Sequence, residues 1–170
     1  MSATLPDAEK VYVELLARLK PAVTPETAIV GIQTGGAWVA ERLHRDLGIA
    51  APLGTLNISF YRDDYSSSGL HSNVRPSQIP FDVNGRRILL VDDVLFTGRT
   101  VRGAMNELFD YGRPKAIDLV VLVDRGERQL PICAQFVGAT VSVPKGAKLD
   151  LRRDDAGRLS LHLEEKQQDA

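Results

Sequence analysis

Residues 88–100, with the sequence ILLVDDVLFTGRT, constrain the fold of this chain more than any other segment. The run begins with four apolar, mostly branched residues, a pattern typical of a strand buried on both faces of a parallel sheet. Asp92 and Asp93 follow at the predicted carboxyl end of that strand, the edge at which open α/β sheets bind ligands. Paired carboxylates there can accept hydrogen bonds from vicinal hydroxyls or help to order a hydrated Mg²⁺.

The segment after the two acids predicts a phosphate-binding turn. Gly98 allows a backbone conformation that most residues resist, so consecutive N–H groups can point at one anion, and the hydroxyls of Thr97 and Thr100 add donors. Apolar residues at helical spacing follow between 101 and 108, and Gly112 predicts the end of that helix. The turn therefore lies at a helix N-terminus, which favours a bound phosphate. Each piece alone suits an ordinary strand end or helix cap, but together they favour a ligand site.

Composition narrows the class of protein. The 170 residues, 44% of them hydrophobic, fit one domain over residues 1–170 with enough apolar material for a core. Lys and Arg number 21 and Asp and Glu number 22, so any basic surface for a nucleic acid must be local. Cys133 is the only cysteine, and no apolar stretch is long enough for a signal peptide or membrane span. We therefore expect a cytoplasmic protein without a membrane partner.

Strands and helices alternate along the chain, which predicts an α/β fold with a central, mostly parallel sheet flanked by helices. The predicted elements outside the central segment are, in order, a helix preceded by a capping box at 4–7 and ended by Pro21, a strand at 28–32, a helix at 36–47, an edge strand at 53–61, a buried strand at 116–123, and a solvated hairpin of 149–151 with 159–161.

Two loops are candidates for binding the pyrophosphate part of a substrate. Residues 62–80 are polar and rich in Ser, and we interpret them as a flexible lid, from which Arg62 and Arg75 could reach a pyrophosphate on closure. The alternative is an insertion without function. The loop GIQTGG at 31–36 contains two adjacent glycines that let backbone N–H groups approach a phosphate, or it is a plain tight turn.

The central motif and its flanks resemble the PyrR family of type I phosphoribosyltransferases. The resemblance is carried by DDVLFTGRTVR at 92–102, GRP at 112–114 and LVDRGERQLPI at 122–132, and it extends from about residue 28 to about residue 140. Members of that family are pyrimidine-operon attenuation regulators that also act as uracil phosphoribosyltransferases. The resemblance implies a type I phosphoribosyltransferase-like fold with the flexible lid and a small hood from about 124 to 170.

The implied reaction transfers the 5-phosphoribosyl group of phosphoribosyl pyrophosphate (PRPP) to uracil, releasing pyrophosphate and forming UMP, with Mg²⁺ as the cofactor. Asp92 and Asp93 are the implied catalytic residues, which hold the ribose hydroxyls and oppose the positive charge that develops as the bond breaks. Pyrophosphate oxygens and water supply most of the metal coordination, so no direct protein ligand is expected, although the two acids could contact the ion. No residue stands out as a general base for uracil.

The resemblance also assigns binding roles. The implied PRPP-binding residues are Asp92, Asp93, Val94, Leu95, Phe96, Thr97, Gly98, Arg99 and Thr100, and the implied base-binding residues are Phe96, Val123, Asp124 and Arg125. Thr34, Gly35 and Gly36 form the loop that grips pyrophosphate and that often contains a non-proline cis peptide in the family. Related sequences typically carry Arg where this chain has Gly35, which removes a bidentate phosphate ligand.

One alternative is an RNA-binding attenuator that recognises pyr mRNA and uses the pocket only to sense nucleotides. Such a protein needs a basic face, because phosphate contacts dominate RNA affinity. Arg128, Lys145 and Lys148 are the candidates for that face. Glu127 and Cys133 weaken it, since they stand where the family suggests His and Arg.

A second alternative is a phosphoribosyltransferase for another base, such as a purine or orotate. The hood sequence argues mildly against it, although Arg125 could serve as the cation that orotate favours. The family forms dimers and rings of dimers, so we expect a homodimer or a higher homo-oligomer.

Overall fold

A sheet of five parallel strands forms the centre of the computed structural model, which describes residues 4–58 and 76–165. The strands are β1 (Thr27–Ile32), β2 (Gly54–Leu56), β3 (Arg87–Leu95), β4 (Ala116–Asp124) and β5 (Phe136–Thr140). Their order across the sheet is β2-β1-β3-β4-β5, with parallel pairing throughout. The predicted α/β fold is confirmed, and the apolar strand at the centre of the sequence is also the central strand of the sheet.

Helices cover both faces of the sheet. Helices α1 (Ala8–Leu19) and α2 (Gly35–Asp46) pack on one face, and α3 (Arg99–Asp110) packs on the other. Leu15, Leu43 and Leu108 are fully buried in these layers. Burial of one such side chain contributes about 1.5–3 kcal/mol, so the two apolar layers hold the helices against the sheet.

The start of α1 differs from the prediction. The carboxylate of Asp7 caps the helix, accepting hydrogen bonds from the backbone N–H groups of Glu9 at 2.9 Å and Lys10 at 3.2 Å. Pro6 keeps the residue before it extended, so the helix cannot include that residue. The capping box predicted at 4–7 is therefore wrong, and its last residue is the N-cap.

A hairpin of β6 (Lys148–Arg153) and β7 (Leu159–Glu164) forms a second, antiparallel sheet, as predicted. It is not merely solvated. Leu149, Leu151 and Leu159 are buried in the same apolar layer as α1 and α2, and Glu9 accepts a hydrogen bond from Leu159 N–H at 2.7 Å. The hairpin therefore completes the core on that face of the sheet.

The outer strands define the limits of the sheet. β2 lies at the sheet edge, as predicted, but is shorter than the predicted strand. Thr55 and Gln78 exchange two backbone hydrogen bonds of 2.8 Å, which tie the end of the predicted lid segment to β2. The predicted lid residues Arg62 and Arg75 lie outside the described residues. Over the described ranges, no helix is long and apolar enough to cross a membrane.

Candidate active site

Asp92 and Asp93 lie in the part of β3 that extends beyond its pairing with β1. β3 pairs with β1 only as far as Val91, whereas its pairing with β4 continues to Leu95. Asp92 and Asp93 are therefore part of the strand, not residues that follow it, and they project past the end of β1. Asp92 is 3% exposed and accepts a 2.9 Å hydrogen bond from Asp93 N–H, while Asp93 is half-buried and accepts one from Val94 N–H. Asp93 is consequently the more accessible carboxylate.

The adjacent glycines bring α2 into direct contact with these acids. A Cβ atom on Gly36 would lie 2.6 Å from Val91 O and 2.9 Å from Asp92 Cα. A Cβ atom on Gly35 would lie 2.7 Å from Asp93 Cγ and would overlap its Oδ2. Only glycine permits this approach at either position. Gly35 therefore has a packing role that the sequence alone did not indicate, because the space for a side chain there is filled by Asp93.

The loop before α2 has the geometry that the family resemblance implied. The Gln33–Thr34 peptide bond is cis, and Gln33 N–H donates to Leu56 O on β2 at 2.9 Å. Thr34 is the N-cap residue of α2. The predicted pyrophosphate loop thus runs directly from β1 into the helix end that touches Asp93.

Residues 97–100, which we call the phosphate turn because the sequence predicts that they bind phosphate, follow the acids in the chain and form a tight turn. Gly98 has φ 93°, in the left-handed region that favours glycine, and α3 begins at the next residue. Arg102 N–H makes the first hydrogen bond of the helix, donating to Gly98 O at 3.0 Å, so the N–H groups of Thr100 and Val101 have no acceptor within the helix. Thr97 is 7% exposed, and its hydroxyl accepts from Arg99 N–H at 3.2 Å. The Thr97 hydroxyl therefore forms a hydrogen bond within the turn, where we predicted that it would help to bind phosphate.

Not every predicted PRPP-binding residue offers a side chain to a ligand. Leu95 is 1% exposed and packs among the apolar residues under α3, so only its backbone can contribute to the site. Val94 and Thr100 are half-buried, and Phe96 and Arg99 are exposed. Arg99 Nε donates to the side-chain oxygen of Gln129 at 3.0 Å.

A segment after β4, residues 124–132, encloses the phosphate turn; we call it the hood segment. Arg125 N–H donates to Leu95 O at 3.0 Å, and the N–H groups of Gln129 and Leu130 donate to Thr97 O at 2.9 and 3.1 Å. The first residues of the predicted hood are therefore hydrogen-bonded to the backbone at and before the phosphate turn.

The region predicted to bind the base contains a stacked pair. The Arg125 guanidinium lies 3.9 Å from the centre of the Phe96 ring, and the Phe96 residue is 40% exposed. Arg125 also donates to Ala147 O at 3.1 Å and pairs with Glu127 at 3.0 Å, while its buried Nε has no hydrogen-bond partner among the described residues. Arg125 thus covers one face of the Phe96 ring, three residues after Asp93 in the chain.

Val123 and Asp124 take structural roles. The prediction that Val123 contacts the base is wrong in this structure, because both faces of β4 are covered and Val123 has no exposed surface. Asp124 accepts from Gly126 N–H at 2.9 Å and from Arg128 at 2.6 Å. Burial alone would raise the pKa of Asp124, but the Arg128 and Gly126 hydrogen bonds hold it below its usual value.

The residues predicted to bind RNA fall into two groups. All three guanidinium nitrogens of Arg128 donate within the protein, to Asp124, Phe96 O and Ile132 O, so it is not a free surface cation. Lys145 is exposed, and Lys148 is exposed but paired with Asp150 at 3.2 Å. The structure thus corrects the expectation for Arg128.

Residues 4–58 and 76–165 offer few candidate metal ligands or general bases. The parts of the chain described by the structure contain no cluster of three or more His, Cys, Asp or Glu side chains that could hold a metal. The Nε2 atom of His44 lies 2.7 Å from Ala51 O, and that of His162 lies 2.8 Å from the Ser160 hydroxyl, so each of these rings has a partner other than the two acids.

The fold and the arrangement at this sheet edge define the class as the phosphoribosyltransferases. The model of the phosphoribosyl transferase domain family matches residues 13–148, and the chain belongs to that family. More narrowly, it is a member of the PyrR family. It is 51% identical over 155 residues to the bifunctional protein PyrR of Ralstonia nicotianae, covering 89% of this chain and 88% of the relative. It is 53% identical over 137 residues to that of Pseudomonas aeruginosa, with coverages of 81% and 78%.

Solved structures agree on the fold. A hypoxanthine phosphoribosyltransferase from Staphylococcus aureus superposes with a TM-score of 0.63 at 21% identity, covering 85% of this chain and 80% of that one. A hypoxanthine-guanine phosphoribosyltransferase from Bacillus anthracis gives 0.64 at 18% identity, with coverages of 85% and 87%. At such identities the likeness supports the fold and not the choice of base.

Proposed function

We propose that this chain is a uracil phosphoribosyltransferase that forms UMP and pyrophosphate from uracil and PRPP. One observation carries the proposal: the Asp92–Asp93 pair contacts the glycines of the pyrophosphate loop, and the Gly98 turn follows the end of the strand that carries the two acids. In the proposal, these groups are the binding surfaces for a diol, a pyrophosphate and a phosphate, respectively. Membership of the PyrR family favours a pyrimidine over the other bases.

Each surface contributes a separate part of the reaction. The N-terminus of α3 anchors the 5′-phosphate, so binding energy far from the reacting carbon holds the ribose in position. Asp93, with Asp92 behind it, faces the ribose hydroxyls and supplies negative potential where the ring becomes cationic. The Thr34–Gly36 loop holds the leaving pyrophosphate, and Arg62 and Arg75 of the lid complete that surface in the proposal.

The carboxylates at this edge also suit Mg²⁺. The ion prefers oxygen ligands and usually keeps water and substrate phosphates in its coordination sphere, so one or two carboxylates beside a pyrophosphate are sufficient. Asp93 and Asp92 are the residues that would contact it. When bound, Mg²⁺ supplies positive charge to the leaving group.

The proposal is tested by measuring product formation from PRPP and Mg²⁺ with uracil, orotate, hypoxanthine and guanine in parallel. UMP from uracil is the expected product. If another base gives product and uracil gives none, the chain is still a phosphoribosyltransferase, but uracil is not its substrate. Stacking on the open face of Phe96 admits any planar base, so the parallel assay is required.

RNA binding is the second candidate function, because the relatives carry the description bifunctional. Lys145 is exposed just before the hairpin and Lys148 is exposed at its first residue, and in this proposal both contact pyr mRNA. A gel-shift titration over a range of salt concentrations tests it. Saturable binding that weakens with salt supports an RNA regulator, and absence of binding at low salt rejects it.

We further propose that the chain acts in the cytoplasm as a homodimer or larger homo-oligomer. Size-exclusion chromatography with light scattering tests the assembly, and a purely monomeric species at micromolar concentration rejects it.

A further inference from the structure

Arg128 makes an unusual set of contacts for a side chain that is 24% exposed. Its NH2 group donates to Asp124 at 2.6 Å, its NH1 group to Phe96 O at 2.7 Å, and its Nε to Ile132 O at 2.9 Å. The three acceptors belong to the last residue of β4, the residue that follows β3, and the last residue of the hood segment. One guanidinium therefore fixes three separate stretches of backbone relative to each other.

Two of these stretches determine where the phosphate turn lies. Phe96 is the residue immediately before Thr97, so its carbonyl fixes the entry to the turn. The Ile132 side chain packs against the turn, since a Cβ atom on Gly98 would lie only 2.9 Å from Ile132 Cγ1. The backbone bonds from Gln129 and Leu130 to Thr97 O lie between these two points.

The third stretch anchors the guanidinium itself. Asp124 is 17% exposed in its side chain and remains a carboxylate at neutral pH, because its hydrogen bonds hold its pKa below the usual value. Its short, charge-assisted bond to Arg128 is of the strong kind, and the fixed fork of arginine can meet three acceptors at once. Lysine keeps the charge but cannot reproduce this geometry.

We infer that Arg128 is a positioning residue for the phosphate turn, acting through Phe96 O and Ile132 without touching the substrate. The inference rests on the proposed function, since it takes the N-terminus of α3 as the site of the 5′-phosphate. It differs from the sequence-based expectation that this arginine contacts RNA. A shift of about 1 Å in a binding group can cost about 100-fold, so loosening this support is expected to weaken phosphate binding strongly.

The test measures binding of ribose 5-phosphate by titration calorimetry, together with the KM values for PRPP and uracil. Arg128→Met is expected to raise the dissociation constant and the PRPP KM at least tenfold, and to raise the uracil KM by a smaller factor. Arg128→Lys is expected to lie between wild type and Arg128→Met. Arg152→Met, on the exposed hairpin, is the matched control and should equal wild type.

The outcomes separate the two claims. If wild type does not bind ribose 5-phosphate, the proposed function fails. If wild type binds it and Arg128→Met binds equally well, the positioning role fails. Equal values for Arg128→Lys and wild type would mean that charge alone matters, which also overturns it. Melting temperature checks folding. If Arg128→Met is unfolded, Asp124→Asn decides: Asn keeps an acceptor oxygen but loses the charge, so about threefold weaker binding is expected, and unchanged binding overturns the inference.

Discussion

Gly35→Ala is predicted to impair catalysis because it adds a single atom against a catalytic carboxylate. That atom would lie 2.7 Å from Asp93 Cγ and 3.1 Å from Asp93 Cβ, where ordinary contacts are 3.4–4 Å. The family resemblance leads to the opposite expectation for Gly35→Arg, namely that the missing phosphate ligand is restored. Arginine carries the same Cβ, so the structure predicts that both substitutions displace Asp93.

The expected loss of activity can be estimated from the hydrogen bond that Asp93 would lose. Its side chain has to rotate away from α2, which breaks the 2.9 Å hydrogen bond that it accepts from Val94 N–H. A hydrogen bond to a charged group contributes about 1.5–3 kcal/mol. Converted at about 1.4 kcal/mol for each factor of ten, this corresponds to a fall in kcat/KM of about 10-fold to 150-fold.

The assay is UMP formation at varied PRPP concentration for wild type, Gly35→Ala, Gly35→Arg and Gly157→Asn. Gly157 has φ 83°, and a Cβ atom added there would meet nothing within 4 Å, so Asn at this position controls for a glycine change far from the acids. Gly35→Ala and Gly35→Arg should both lose activity while melting within a few degrees of wild type. Higher PRPP affinity in Gly35→Arg would refute the packing argument and support the sequence-based one.

Two further predictions concern neighbouring contacts. Arg125→Met should raise the uracil KM about threefold to tenfold at unchanged PRPP KM, because the cation that steadies Phe96 is lost; equal changes in both KM values would contradict this role. Glu9→Gln should lower the free energy of unfolding at pH 7 by about 1 kcal/mol, as measured by urea denaturation. Hydrogen bonds from Arg42 and Leu159 N–H hold the pKa of Glu9 below its ordinary 4.5, so this stabilisation is complete above pH 4.5 and is lost as the pH falls through the lower folded value. A difference between wild type and variant that persists at lower pH would contradict it.

Local signals predicted much of the fold and the site. The apolar run before Asp92 identifies the central strand, and Gly98 followed by residues at helical spacing identifies the turn and α3, because these features depend on neighbours in sequence. The two glycines at 35 and 36 correctly indicated a close approach to another group. The partner was not predictable, since Asp93 lies 58 positions away in the chain and meets Gly35 only when β1 and β3 pair.

The errors share the same physical cause. β3 continues through Asp92 because β4 is long enough to pair with it, and β5 was not predicted because it is short, half-exposed and identified only by its pairing with β4. The family resemblance implied that Val123 contacts the base, but Val123 has no exposed surface in the folded sheet. In each case a tertiary contact decided what the local pattern could not.

The central claim is that two adjacent carboxylates at the end of β3 meet a phosphorylated ribose. The most direct measurement is UMP formation by wild type, Asp92→Asn and Asp93→Asn with uracil, PRPP and Mg²⁺, alongside ribose 5-phosphate binding. We predict a loss of about 100-fold or more in kcat/KM for Asp93→Asn, with its ribose 5-phosphate affinity lowered far less because the α3 terminus is intact. Wild-type rates in both variants, or no UMP from wild type, would contradict the account.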